Sequence, residues 1–506
     1  MQLISKYKWE IIISVFLALA YFTLRLIYLN RLPIFTDEAI YLRWAQIALH
    51  DASWRFISLT DGKQPMYVWV AMVFMKFIKD PLIAGRLVSV ATGFFTMIGL
   101  WFLSFELFKN KRIAFLTSTL YVFYPFAQVL DRMALYDSMV GAFAVWAFYL
   151  SVVLVKREKL QDAYALGIII GGGVLTKSSN FFSIYLLPFT ALLFNFKKPF
   201  PKRFVRWIFL AGFASAIGYG MYNVLRLSPL YEMIAIKNAT FVYPFSEWVQ
   251  HPFVYLTSNV SGLSSWLIQY LTPSYILLIL ISLITLKNYF REKLLLITYF
   301  VLPFVALALF GNLLYPRFIF FMTLFLLPLT AVGLEEVIKF FETKIEFHSV
   351  RLVLPYILTL IFIIYPAFIS FQFAYNPLNA KIADRDSNQY INGWAAGWGV
   401  KESVSFFEDQ ARSQKIYVAT EGTFGLMPES MEMYLLSDKN ITVKGYWPVD
   451  IFPKEVMAIA KKMPTYFIFY QPQHRTLPPD SPLKLVFKVQ QGNTNDYYRV
   501  YQVTTK

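Results

Sequence analysis

Apolar residues occupy the first three-quarters of this chain in long blocks separated by short polar turns, and then give way to short alternating runs. A helix that crosses a bilayer needs about 20 consecutive apolar residues. Eleven blocks approach that length and are predicted as spans: 10–29, 82–108, 113–130, 138–155, 163–179, 180–196, 204–222, 266–286, 294–311, 317–334 and 352–371. A further apolar run, 66–78, is shorter and contains Lys76. From Asn376 onward hydropathy falls. Runs at 415–420, 441–443, 466–470, 483–489 and 497–503 are β-rich or alternate with period two, and helical runs at 401–410 and 454–462 separate them. That alternation predicts a small α/β domain.

Whether 66–78 crosses the bilayer sets the phase of every later span, and charge decides it. The basic turns are 109–112, 156–159, the group Lys197, Lys198, Lys202 and Arg203, and the group Lys287, Arg291 and Lys293. With the N-terminus inside, they all face the cytoplasm only if 66–78 lies flat on the outer surface, as the positive-inside bias requires. Tyr67, Trp69 and Phe74 suit such an interfacial helix. Lys6 and Lys8 before an apolar run resemble a signal peptide, but no small-residue cleavage site follows. Arg25 and Tyr28 close the run as anchors, so it is kept as a span. The expected architecture is an α-helical polytopic membrane domain over residues 1–371, with eleven spans, and a soluble extracytoplasmic α/β domain over 372–506. The outward regions are then 30–81, 131–137, 223–265 and the turn 312–317.

Composition narrows the class. Of 506 residues, 57% are hydrophobic and 15% charged, with mean hydropathy +0.49, which excludes a soluble protein. Cysteine is absent, which excludes disulfides, thiolate metal sites and a thiol nucleophile. The histidines, His50, His251, His348 and His474, show no metal-ligand spacing. Most of the formal charge of +16 lies before residue 372, in the basic turns, so it predicts no nucleic-acid partner.

Candidate chemistry gathers in the outward regions. Asp37 and Glu38 follow the first span. The plain alternative is a helix start, with Thr36 as cap and acids in the first turn. Transfer of a sugar from a phosphate instead needs a base beside the nucleophile, which a carboxylate supplies. Lys63, before Gln64 and Pro65, is either a snorkelling lysine or a cation for a departing phosphate. Asp131 and Arg132 could form a solvated pair. Asp137 opens a span, where a charge is costly unless it faces a polar cavity. Arg317 stands at the outer end of a span and suits bidentate phosphate binding. Arg86 is expected to be an interfacial anchor. Asp384-Arg385-Asp386 has the DxD pattern of metal-dependent transferases, but three residues in a linker are weak evidence. Gly171, Gly172 and Gly173 suit close helix packing. Trp394 and Trp398 suit either sugar stacking or packing under a glycine-rich turn. The aromatic region 223–265 is expected to cover the site.

These residues resemble the GT-C superfamily of membrane glycosyltransferases, and within it the dolichyl-phosphate-mannose protein mannosyltransferases and lipid A aminoarabinose transferases. The resemblance rests on Asp37-Glu38, on the Lys63-Gln64-Pro65 turn before an aromatic helix, and on an Arg86-led span ending in the basic turn 109–112. It rests too on the segment from Arg132 to Asp137 and on Arg317-Phe318 before Leu327-Pro328. It covers about residues 10–335. It implies an inverting transfer of one hexosyl or pentosyl unit from a polyprenyl-phosphate donor to a protein hydroxyl, a lipid or a glycan, outside the plasma (inner) membrane. Asp37 is then the base, Glu38 its support and Asp137 a second carboxylate. Lys63, Arg132 and Arg317 bind the donor phosphate. No cofactor is required, although Asp37 and Asp137 are compatible with a divalent cation. Gln64 departs from the proline of many relatives. The tail is not a MIR-type β-trefoil, and the Trp-Trp-Asp-Tyr-Gly signature of oligosaccharyltransferases is absent. The competing class is a transporter or flippase of a lipid-linked saccharide, which would place charges deep within spans.

Overall fold

Helices form where the apolar blocks run, and polar residues fix where several of them begin. In the computed structural model, which describes residues 7–196, 199–477 and 481–505, Asp80 accepts from the Ile83 N–H ahead of Pro81. Asn110 accepts from the N–H groups of Arg112 and Ile113. Each side chain satisfies donors that the first turn of a helix leaves open. Lys6, Lys197 and Lys198, and the side chain of His348, lie outside the described residues.

Among the described residues seven helices are long and apolar enough to cross a bilayer: Lys8–Leu26, Pro81–Phe108, Tyr136–Arg157, Phe200–Leu227, Leu256–Ile284, Phe290–Phe310 and Ser349–Tyr375. An eighth is the pair Pro316–Thr323 and Leu326–Glu342, bent by 54°. The other predicted spans are helical but shorter or broken. Block 113–130 divides into Lys111–Val122 and Pro125–Leu130, because Pro125 has no N–H to continue the first helix. Block 163–179 ends as Leu160–Thr176, and 178–193 folds as short helical turns. Met66–Met75 rises about 15 Å, too little to span.

The basic turns meet at one end of the bundle, where the first helix also begins. Lys111 pairs with Glu10 at 2.8 Å, Lys156 with Glu106 at 3.2 Å, Arg112 with Glu335 at 3.1 Å, and Arg203 with Glu158. Asn288 bonds Glu336 at 3.1 Å. Gly171 and Gly172 face Met221 and Phe143 so closely that a Cβ would collide, as helix packing predicts.

Two arginines expected at the interface are instead buried. Arg25 has no exposed surface. It donates to the Val122 carbonyl at 2.6 Å and pairs with Asp131 at 3.3 Å. Arg86 is equally enclosed. Carbonyls at helix ends lack intrahelical partners, and an interior guanidinium satisfies several of them together. Asp131 and Arg132 are buried too and do not pair with each other. Arg132 donates to the carbonyls of Leu24, Arg25 and Tyr28, the end of the first helix.

At the opposite end lies the α/β part. Strands β3 (Ile416–Glu421), β4 (Ile441–Tyr446) and β5 (Thr465–Phe469) are parallel in the order β4-β3-β5, joined through helices Glu429–Leu435 and Lys454–Ala460. The hairpin β6 (Leu483–Gln490) and β7 (Tyr497–Val503) adds antiparallel through β7. β3 and β5 are buried along their length, since both faces of the sheet are covered. Val418, Ile468 and Val500 join a core continuous with the membrane helices, while Ala419, Phe467 and Tyr501 form a second cluster on the other face. A two-stranded ribbon, β1 (Ile34–Phe35) with β2 (Ala396–Gly397), stitches the two parts together.

Candidate active site

That ribbon sets the first functional side chain. Ile34 pairs with Gly397 and Phe35 with Ala396, and the Thr36 N–H donates to the Ala395 carbonyl at 3.0 Å. The Thr36–His50 helix starts there, so Asp37 leaves a fixed backbone. Arg317, on the turn Pro316–Ile319 where the bent span begins, donates Nη1 to Asp37 Oδ2 at 2.7 Å. Asp37 keeps 18% of its side-chain surface exposed. Burial alone would raise its carboxyl, but Arg317, Lys63 and the Tyr41 hydroxyl outweigh that and hold it at about 2.

Lys63 lies on the same side. Its Nζ stands 5.6 Å from the Tyr41 ring and 5.9 Å from Phe241, and among the described residues it forms no ion pair. Burial brings its ammonium down to about 8 against the opposing pull of Asp37. Gln64, where the resemblance leads one to expect proline, donates to Ser178 Oγ at 2.6 Å. Asn238 donates to the same oxygen at 3.1 Å. The Lys63 turn is therefore pinned by side chains rather than by a second proline.

Asp137, at the start of the Tyr136–Arg157 helix, accepts from Lys177 at 2.8 Å. Lys177 also stands 4.9 Å from the Phe318 ring. Asp137, Lys177, Asn238 and Arg317 form the polar end of a cavity of about 350 Å³. Its walls are apolar, among them Val140, Phe182, Leu307, Phe310 and Phe321. Region 223–265 contributes Phe241 and Asn238 to it, and Lys237 of helix Met233–Phe241 meets Asp61 at 2.6 Å.

The other two candidates point elsewhere. Glu38 is fully buried, with Arg86 Nε at 2.9 Å, Arg86 Nη2 at 2.8 Å and the N–H groups of Phe35 and Ala134 at 2.9 and 2.6 Å. Arg132 is spent on backbone carbonyls. Asp37, Lys63, Asp137 and Arg317 are thus brought together, and Glu38 and Arg132 are not.

Sequence reasoning passed over three residues around the cluster. Lys177 ended a predicted span and carried no motif. Asp386, set aside with its DxD pattern, is fully buried and accepts from the Tyr270 hydroxyl at 2.5 Å. Burial pushes its carboxyl up to about 7, against the pull of Tyr270, Arg317 and Tyr390. Tyr390 packs edge-on to Phe35 at 4.9 Å. Trp398 donates to the Ile391 carbonyl at 2.6 Å, a packing contact, while Trp394 stays 42% exposed. Among the described residues no three of His, Asp or Glu converge on a point, so Asp37 and Asp137 have no third metal ligand.

An apolar cavity that ends in cations and carboxylates at a membrane edge suits a lipid carrying a phosphate. The family model described as dolichyl-phosphate-mannose-protein mannosyltransferase matches residues 62–219. The structure aligns with ArnT from Cupriavidus metallidurans in the apo state over 99% of this chain and 98% of that one, with TM-score 0.57 and 12% identity. ArnT bound to undecaprenyl phosphate aligns over 99% of both chains, with TM-score 0.56 and 12% identity. The chain has the GT-C fold. Arabinofuranosyltransferase AftD from Mycobacteria aligns over 97% of this chain and 42% of its own, with TM-score 0.50 and 13% identity. No curated protein matches the sequence. The fold is built here of membrane helices plus the small sheet.

Proposed function

We propose that this chain is an inverting glycosyltransferase that moves a single sugar from a polyprenyl-phosphate donor to an acceptor on the outer face of the plasma (inner) membrane. One observation carries the reading: Arg317, paired with Asp37 and acted on by the same field as Lys63, lines the polar end of a cavity whose walls are apolar. The isoprenoid chain occupies that cavity, and its phosphate meets Arg317, Lys63 and Lys177. An acceptor hydroxyl attacks the anomeric carbon. The bond from that carbon to the phosphate oxygen breaks with its electron pair going to the phosphate, and Asp37 takes the hydroxyl proton. Cations preorganised around the departing phosphate stabilise the charge that grows there.

A carboxyl held at about 2 is a weak base in the resting protein. Arg317 is its closest cation, and a phosphate that draws Arg317 away leaves Asp37 more basic where the proton must go. Donor binding thereby prepares the base. Asp137, held by Lys177, positions that lysine toward the phosphate. Glu38 and Arg132 serve the frame, not the reaction. One structural relative, ArnT, binds undecaprenyl phosphate, which supports this class of donor. The acceptor, whether protein hydroxyl, lipid or glycan, and the sugar, hexosyl or pentosyl, are what an assay must read.

The test is release of label from a panel of undecaprenyl-phosphate-linked sugars in nanodiscs, with wild type and Asp37→Asn, in the presence of membrane extract as acceptor source. Transfer by wild type that collapses in a folded Asp37→Asn protein supports the reading. Binding of donor lipid with no transfer across the panel, together with movement of the lipid between leaflets, would put a flippase in its place.

A further inference from the structure

A membrane helix breaks beside the segment that leads to the sheet. In Leu256–Ile284 the helical path fails at Thr272, where φ is +63° and ψ is 158°, and Pro273 follows. Residues other than glycine rarely hold that backbone, and those that do gather at functional sites. Pro273 has no N–H to offer the turn before it. At membrane depth such a break is tolerated where it is buried in protein or lines a polar cavity. Here a cleft of about 430 Å³ opens at the break. Gln269, Thr272, Lys381, Asp384 and Ser387 give it polar groups, and Ile268, Pro273, Tyr365 and Ile369 give it apolar walls. Ile268 and Tyr365 lie on membrane helices and keep 56% and 45% of their surface exposed, so the walls continue into a face turned to the bilayer. Lys381 and Asp384 follow the last membrane helix, which ends at Tyr375. They carry opposite charges, and both side chains are exposed. Among the described residues neither forms an ion pair or a side-chain hydrogen bond. A cation and a carboxylate that share a cleft without meeting leave room for a ligand of both signs.

We propose that the cleft at Thr272–Pro273 seats the head group of phosphatidylethanolamine, a membrane phospholipid that carries a phosphate and a primary ammonium. Lys381 takes the phosphate. Asp384, which only accepts hydrogen bonds, takes the ammonium, which only donates them. The acyl chains follow Ile268 and Tyr365 into the bilayer. A choline head group lacks the N–H donors that Asp384 requires, and a glycerol head group lacks the positive charge. Undecaprenyl phosphate has no ammonium, and its phosphate has the cations of the other cavity. The occupied seat ties the linker to the broken helix, beside the Tyr270–Asp386 bond that already joins them. It is separate from the transferase site and does not depend on that chemistry.

The experiment uses the full chain in detergent micelles. Native mass spectrometry titrates short-chain phosphatidylethanolamine, phosphatidylcholine and phosphatidylglycerol against wild type, Lys381→Gln and Asp384→Asn. Both side chains are exposed, so the variants should melt like wild type, and thermal scans check this. Wild type should bind phosphatidylethanolamine about tenfold more tightly than either other lipid, the worth of one charge-assisted bond. Asp384→Asn should erase the preference over phosphatidylcholine. Lys381→Gln should weaken all three lipids, since each carries the phosphate. The seat is overturned if wild type binds phosphatidylethanolamine no more tightly than phosphatidylcholine, or if phosphatidylglycerol binds best. It is overturned equally if Asp384→Asn keeps the preference, which would place the ammonium elsewhere on the protein.

Discussion

Asp37 and Glu38 are neighbours on one helix, each paired with an arginine, and they have opposite fates. Glu38 is sealed. Both oxygens bond Arg86 and two backbone N–H groups, and Arg86 spends its remaining donors on the carbonyls of Leu29, Leu32 and Pro33. Asp37 is half finished. It meets one nitrogen of Arg317, and another nitrogen of that arginine is buried without a partner. A helix turns adjacent side chains about 100° apart, so Glu38 faces the interior while Asp37 meets Arg317, which lines the cavity. A saturated ion pair has nothing left to offer a ligand, whereas an unsaturated one is preorganised for it.

The largest expected effects break this contrast directly. Asp37→Asn should lower transfer by about 10²–10⁴-fold, the range for loss of a positioned base, with little change in thermal stability. Glu38→Gln should do the reverse. It leaves Arg86 buried without its counter-charge, a loss of about 3–5 kcal/mol in stability, while the molecules that still fold retain activity. Thermal melts and turnover per folded molecule, measured on both variants, check the pair. Equal loss of activity without loss of stability in Glu38→Gln would return that residue to the chemistry.

Next in size is Arg317→Lys. The ammonium keeps the charge but loses the planar fork that can leave Asp37 for two oxygens of a phosphate. Undecaprenyl phosphate affinity should fall about 10–100-fold, the worth of one or two charge-assisted bonds. An equilibrium titration of the lipid reads it, and unchanged affinity would remove Arg317 from the donor site.

The same contrast explains what the sequence could reveal. Strands β3 to β7 lie where β-rich or alternating runs predicted them, because both are local signals. Asp37, Lys63, Asp137 and Arg317 were legible because charges beside apolar blocks are costly without a purpose. Arg25 and Arg86 carried the same signal and were misread as anchors, since their partners are carbonyls far along the chain that only packing brings near. Asp386 was hidden for the opposite reason: its three-residue pattern suggested a metal, while its actual partner, Tyr270, lies inside a predicted span. Pro125 was visible in the apolar block it divides, but its consequence for span length was not drawn from hydropathy alone.

A smaller effect comes from pH. Lys63 titrates at about 8 because burial penalises its charge. Its attraction for phosphate is present below that pH and fades as pH rises through it. Lipid affinity should therefore decline between about pH 7 and 9, by roughly the worth of one charge-assisted bond. Lys63→Arg, which stays charged throughout, should flatten the profile. Binding of phosphate itself favours the ammonium, so the midpoint for the loaded protein should lie above that of the free one. A profile that is the same for wild type and Lys63→Arg would assign the decline to another group.

The smallest effect is expected at a third ion pair, which sharpens the comparison from the other side. Lys237 meets Asp61 at 2.6 Å, closer than Arg86 meets Glu38, yet the two side chains keep 28% and 23% of their surface. Solvent screens such a pair, and exposed pairs are worth about 0.2–1 kcal/mol. What holds helix Met233–Phe241 over the site is the packing of Ile234 with Leu59, Leu175 and Leu225, together with the close approach of Met233 to Gly62. Asp61→Asn should thus shift thermal stability by less than about 1 kcal/mol and leave lipid affinity near wild type. Ile234→Ala should cost about 2–5 kcal/mol, the usual loss for a buried isoleucine, and loosen Phe241 beside Lys63. If Asp61→Asn instead weakens lipid binding as strongly as Arg317→Lys does, short distance rather than saturation and burial governs these pairs, and the division drawn between Asp37 and Glu38 loses its physical basis.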